Sequence, residues 1–139
     1  MLNTKQSFKI IIFGFIFTFF SSFGQSFFIG LFNSNIRVDL NITHGQFGTI
    51  YALATLISSF TLILIGKKID DFKLINYSLF VVLLLFFSSI FFSFINSIYL
   101  LFIGIFLLRL SGQGLMSHTA TTSISRYFDK SRGRALGAT

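Results

Sequence analysis

The sequence predicts an all-α polytopic membrane protein. Three observations carry that class: four long apolar runs, basic residues gathered on alternate gaps between them, and a composition that water does not tolerate. Over 139 residues the chain is 53% hydrophobic, 19% aromatic and only 11% charged, so a soluble domain would have to expose extended apolar patches. The runs cover residues 10–32, 47–66, 74–95 and 98–125, and only the last holds a charge, Arg109. At 1.5 Å per residue, about 20 apolar residues cross a hydrocarbon layer of ~30 Å, so each run is long enough to span. Lipid offers no partner to backbone N–H and C=O groups, and the runs lack the alternation of a barrel strand, so they are helices. Helices are expected over residues 8–33, 44–66, 73–96 and 98–125, followed by a loop over 126–134 and the start of a fifth helix at 135–139.

The net charge of +7 raises the question of nucleic acid, but the basic residues sort by side of the membrane and form no single stripe. Lys5 and Lys9 precede the first run, Lys67, Lys68 and Lys73 follow the second, and Arg126, Lys130, Arg132 and Arg134 follow the fourth. The other side has Arg37, offset by Asp39, and an uncharged turn at Asn96 and Ser97. The positive-inside rule therefore predicts a multi-pass protein of the cell (inner) membrane with a cytoplasmic N-terminus. The first run exceeds the 7–15 residues of a signal core and reads as a retained anchor. The absence of Cys removes disulfides, thiol chemistry and cysteine metal sites. With no paired carboxylates or metal cluster either, no enzyme, cofactor or metal is expected. Pro is absent too, so bends are expected at glycines such as Gly14, Gly24, Gly30, Gly104, Gly112 and Gly114.

Entry to the second helix is marked by Thr43-His44-Gly45-Gln46, a capping box. The overlapping sequon Asn41-Ile42-Thr43 lies too near the membrane to favour glycosylation over capping. Polar residues share helical faces: Thr18, Ser22 and Gln25 on the first helix, Tyr51, Thr55 and Ser58 on the second. The Ser and Thr residues read as hydrogen-bond glue between helices, and Gln25 as either glue or cavity lining. The third helix, Phe- and Leu-rich with Ser88, Ser89 and Ser93, reads as lipid-facing.

Arg109 lies eleven residues past Ile98, about 16 Å down and near the bilayer midplane. Such a charge costs at least ~2.5 kcal/mol, so it should face a bundle interior or cavity and have a partner. The chain has no Glu, and Asp39, Asp70, Asp71 and Asp129 all lie outside the spans. The partner is therefore a carbonyl or amide such as Gln25, a group on another segment, or an anionic ligand. Gly112, Gln113 and Ser117 should share the side of Arg109, with Gly112 and Gly114 permitting close helix approach. These glycines lack the preceding strand of a nucleotide loop. His118 reads as an interfacial polar residue.

Three stretches resemble the major facilitator superfamily of secondary transporters. They are Gly66-Lys67-Lys68-Ile69-Asp70 after the second helix, Arg109-Leu110-Ser111-Gly112-Gln113-Gly114 in the fourth, and 127–137 at the four-to-five loop. The first departs from the family pattern after the aspartate, where Asp71, Phe72 and Lys73 stand in place of a basic residue, a glycine and further basic residues. The resemblance implies a major-facilitator-type helical bundle, here the N-terminal part of a twelve-helix transporter whose remaining helices complete the cavity. It implies that Gly66 permits close packing, that Asp70 latches the outward-facing state, and that Arg132 and Arg134 orient the loop and pair with Asp70. Arg109, Gln113 and Gln25 would face the cavity. The helix-four stretch is most similar to organic-anion and monocarboxylate (oxalate/formate antiporter-like) members, so the implied substrate is a small organic anion moved by alternating access. The expected partners are the lipid bilayer, that solute and the remaining helices, with no nucleic acid. The competing reading is a self-contained four-helix membrane protein, either an assembly subunit or a small multidrug-type pump, although such pumps usually need the intramembrane carboxylate this chain lacks.

Overall fold

The computed structural model describes residues 4–128 and 132–139, and these form an all-helical bundle with no strand among them. Four stretches are long and apolar enough to cross a membrane: Lys5–Leu31, His44–Ile69, Leu74–Ser93 and Ile98–Tyr127. The first span is not one helix. α1 (Thr4–Ser21) tightens into a 3₁₀ turn at Ser22–Gly24, the chain extends at Gln25 (φ −77°, ψ 154°), and α2 (Ser26–Leu31) and α3 (Asn33–Asp39) carry it onward. The helix expected over 8–33 is therefore interrupted, and the break falls at Gly24, one of the glycines where a bend was expected. The cause is tertiary, because Gly24 is pressed against the backbone of the fourth span and a Cβ there would lie 2.3 Å from the Leu108 carbonyl oxygen.

The second span is α4 (His44–Gly66), entered through Asn41 at φ 51°, a left-handed position that Asn tolerates. The capping box closes as the residues imply: the Gln46 N–H donates to Thr43 Oγ1 at 3.2 Å, and the Thr43 N–H donates to Gln46 Oε1 at 2.8 Å. A 3₁₀ turn at Lys67–Ile69 leads to α5 (Leu74–Ser93), the third span. The fourth span starts as α6 (Ile98–Leu108), capped by the Ser97 hydroxyl. It widens into a π-helix over Arg109–Met116 and returns to α-helix as α7 (Ser117–Tyr127). α8 (Arg132–Gly137) begins a few residues before the expected fifth-helix start, and Asp129, Lys130 and Ser131 of the loop lie outside the described residues.

The fourth span is the hub. Half of its most apolar window is buried, against 11–28% for the other three, and Leu101, Ile105, Leu115, Met116 and Ile124 are fully enclosed. The other spans each give it one face and turn large apolar side chains outward, among them Phe15, Phe19, Phe60, Leu64, Phe86 and Phe87. The third helix is not purely lipid-facing, since it buries Tyr77, Ser78, Val81, Leu85 and Ser88. Of the hydroxyls expected to act as interhelical glue, Ser58 instead bonds within its own helix, as several others do, while the Tyr51 hydroxyl does reach Ser26 across helices. Ser58, Ser59, Ser88, Ser89, Ser111 and Thr119 each donate to a carbonyl three or four residues earlier in their own helix. That bond is available wherever the helix sits, so it wins over one that needs a neighbour in register.

Candidate functional site

The interrupted first span and the widened fourth span meet at Arg109. Gly24 and Gly112 face each other there without side chains between them, and a Cβ on Gly112 would lie 2.6 Å from the Gly24 nitrogen. The extended turn at Gln25 takes the Gly24 carbonyl out of the helical ladder, and Arg109 uses it. Its Nη1 donates to the Gly24 carbonyl at 3.1 Å and to the Ser26 hydroxyl at 3.3 Å. The guanidinium lies 5.3 Å from the centre of the Tyr51 ring of α4, and the Tyr51 hydroxyl donates to Ser26 Oγ at 2.7 Å. A cation at membrane depth is thus held by a carbonyl dipole, a hydroxyl and a π-face. Arg109 is 8% exposed, its Nε has no hydrogen-bond partner, and no carboxylate of the described residues pairs with it.

Arg109 and Gln113 line one recess of ≈ 140 Å³ together with Ser58, Ser59, Leu62 and Gly114. The buried Gln113 Oε1 is also without a partner. Gln25 is not in this recess: it sits half-buried at the helix break, and Arg109 bonds the residues on either side of it. The glycines divide between neighbours, Gly112 against the first span and Gly114 against Leu62 of α4, 3.3 Å from where its Cβ would be. Ser26 was not among the residues singled out from sequence. The signal that could have found it is local: Gly24-Gln25-Ser26 places a helix breaker and two polar residues inside an apolar run.

A second cluster lies toward the far end of the fourth span. Gly66 ends α4 against His118, whose Nε2 is 3.2 Å from the Gly66 carbonyl and whose ring is 3.4 Å from where a Cβ would sit. Asp70 forms its ion pair with Arg126, which also donates to the Ile69 carbonyl at 3.2 Å. Arg126 was counted in sequence only as loop charge. Among the loop arginines, Arg132 bonds the Ser125 carbonyl at 3.2 Å and Arg134 is exposed. Among the described residues no cluster of His, Cys, Asp or Glu could hold a metal.

Three apolar spans packed around a fourth that buries an arginine beside a polar recess define a multi-pass membrane protein. Residues 11–139 match the family model of the Major Facilitator Superfamily, and the chain belongs to that family, one of transmembrane transporters. No curated protein and no solved structure matches the chain.

Proposed function

We propose that the chain forms one wall of a secondary transporter that moves a small organic anion by alternating access, with Arg109 as the anion-binding cation. One observation carries the reading: a guanidinium buried beside a polar recess, satisfied on one edge by Gly24, Ser26 and Tyr51 and left with an unbonded Nε. A bound carboxylate would supply the negative charge that no aspartate of the described residues brings to Arg109. Gln113, with Ser58 and Ser59, gives the recess further polar atoms for orienting a short solute. Further helices, opposite this wall, complete the cavity. On the proposed cytoplasmic side, the Gly66–His118 contact and the Asp70–Arg126 pair tie the second span to the fourth and serve as a gate. Gly112, with Gly24, keeps the first and fourth spans close enough for the Arg109 bonds to form.

The test is uptake of short organic acids by the full-length protein in proteoliposomes. Removing one partner of a buried charge contact costs 2–5 kcal/mol, so Arg109→Gln should lower uptake by roughly 30-fold or more. Arg109→Lys should recover part of it. Uptake of an anion at the parent rate by a correctly inserted Arg109→Gln protein would overturn the reading.

A further inference from the structure

Away from Arg109, where α1 begins and α7 ends, a second groove of ≈ 300 Å³ is lined by Lys9, Ile10 and Phe13, by Leu74 of α5, and by Ser123 and Tyr127 of α7. Ser123 is fully buried, and its hydroxyl has no hydrogen-bond partner. That sets it apart from Thr119 one turn earlier, which donates to the Leu115 carbonyl of its own helix. Leu74 opens α5, and the residue before it, Lys73, offers no side-chain cap; its carbonyl accepts from the Asn76 N–H at 3.0 Å, so the Leu74 and Ile75 amides and the positive end of a 20-residue helix are what this start offers a partner. Lys9 brings a full charge and Tyr127 a phenol to the same groove. Phe13 connects it to a neighbouring trough, its ring centroid 4.4 Å from that of Phe17. The trough, ≈ 360 Å³, runs along the seam between α1 and α5 past Phe17, Phe20, Val82, Leu85 and Phe86.

A cation, an uncapped helix start and an unpartnered hydroxyl at the mouth of an apolar trough complement an amphiphile with an anionic head. We propose that this groove binds an anionic phospholipid of the surrounding leaflet. Its phosphate would sit among Lys9, Ser123 and the start of α5, and one acyl chain would follow the α1–α5 seam. The basic residues gathered at this end of the bundle and the anionic character of cytoplasmic leaflets favour the same occupant. The inference does not depend on what the transporter carries.

The protein in neutral detergent is titrated with phosphatidylglycerol and with phosphatidylcholine, retained lipid is counted by native mass spectrometry, and thermal unfolding is followed in parallel. Phosphatidylglycerol should be retained and raise the unfolding temperature, and phosphatidylcholine should not. Lys9→Gln should weaken retention about fivefold, the effect of one lysine at an anionic surface. Lys5→Gln, outside the groove, should leave it unchanged. Ser123→Ala should unfold no earlier than the parent without lipid, since nothing there partners the hydroxyl, yet gain less from phosphatidylglycerol. Equal retention of the two lipids, parental retention by Lys9→Gln, or the same stabilisation by inorganic phosphate alone overturns the proposal. So does a cross-link from a Cys at Phe13 to another transmembrane helix filling the groove.

Discussion

At Gly24 and Gly112 the backbones of two membrane helices touch, and the bonds from Arg109 to Gly24 and Ser26 depend on that contact. A Cβ on Gly24 would meet the Leu108 carbonyl oxygen at 2.3 Å and the Gln113 nitrogen at 2.5 Å. Backbone atoms, unlike the end of a flexible side chain, cannot swing aside. Gly24→Ala or Gly112→Ala should therefore cost about 1–3 kcal/mol, the usual size of overpacking, whereas Gly30→Ala, with open space around it, should stay within about 0.5 kcal/mol. Thermal unfolding in detergent reads the difference, and a Gly112→Ala protein as stable as Gly30→Ala would contradict the contact. Tyr51 separates two contributions to holding the guanidinium. Tyr51→Phe keeps the ring and loses the 2.7 Å bond to Ser26, a loss near 0.6 kcal/mol for hydrogen bonds between membrane helices. Tyr51→Leu removes the π-face as well and should lose about 0.5–2 kcal/mol more on the same measurement.

Helices of this bundle start by local rules and deform by tertiary ones. α4 begins with the reciprocal Thr43–Gln46 bonds, which satisfy two amides that would otherwise lack partners at the membrane surface. Thr43→Ala should destabilise by about 1 kcal/mol and speed amide exchange in the first turn of α4, while Thr43→Ser should do neither. Unchanged exchange in the alanine variant would show that the cap contributes nothing. The first and fourth spans follow no such local script. One extends at Gln25 and the other widens into a π-helix over Arg109–Met116 at the level where they touch, and each deformation frees or aims a polar group for the other. π-Segments occur often at functional sites because a wider turn re-aims side chains. Here it lets Gly112 meet the first span while Arg109 and Gln113 line the recess beside α4.

For the whole molecule, the fourth span is the axis around which the other three pack, and the Asp70–Arg126 pair fastens its end to the end of the second. The side chains of that pair are 74% and 36% exposed respectively, so the pair adds at most about 1 kcal/mol to stability. Arg126→Gln should thus leave the unfolding temperature nearly unchanged. If the pair is the proposed gate, the same variant should change labelling of a Cys placed at Ser59 in the recess, and the exchanged pair Asp70→Arg with Arg126→Asp should restore it. These 139 residues hold no Cys, so the introduced one is the single thiol among them. Labelling identical in all three proteins would leave the pair without a gating role. Hydropathy, helicity and the sorting of charge belong to each residue whatever surrounds it, and a cap joins residues three apart, so the four spans and the Thr43–Gln46 box were readable along the chain. Arg109 was readable as an anomaly for the same reason. Its partners, 83 and 85 positions earlier, were not, because the Gly24 carbonyl becomes available only when close packing against Gly112 breaks the first helix. Nor was the choice of Arg126 for Asp70. That choice is a competition between partners at comparable cost, settled by distances that exist only once the spans are packed.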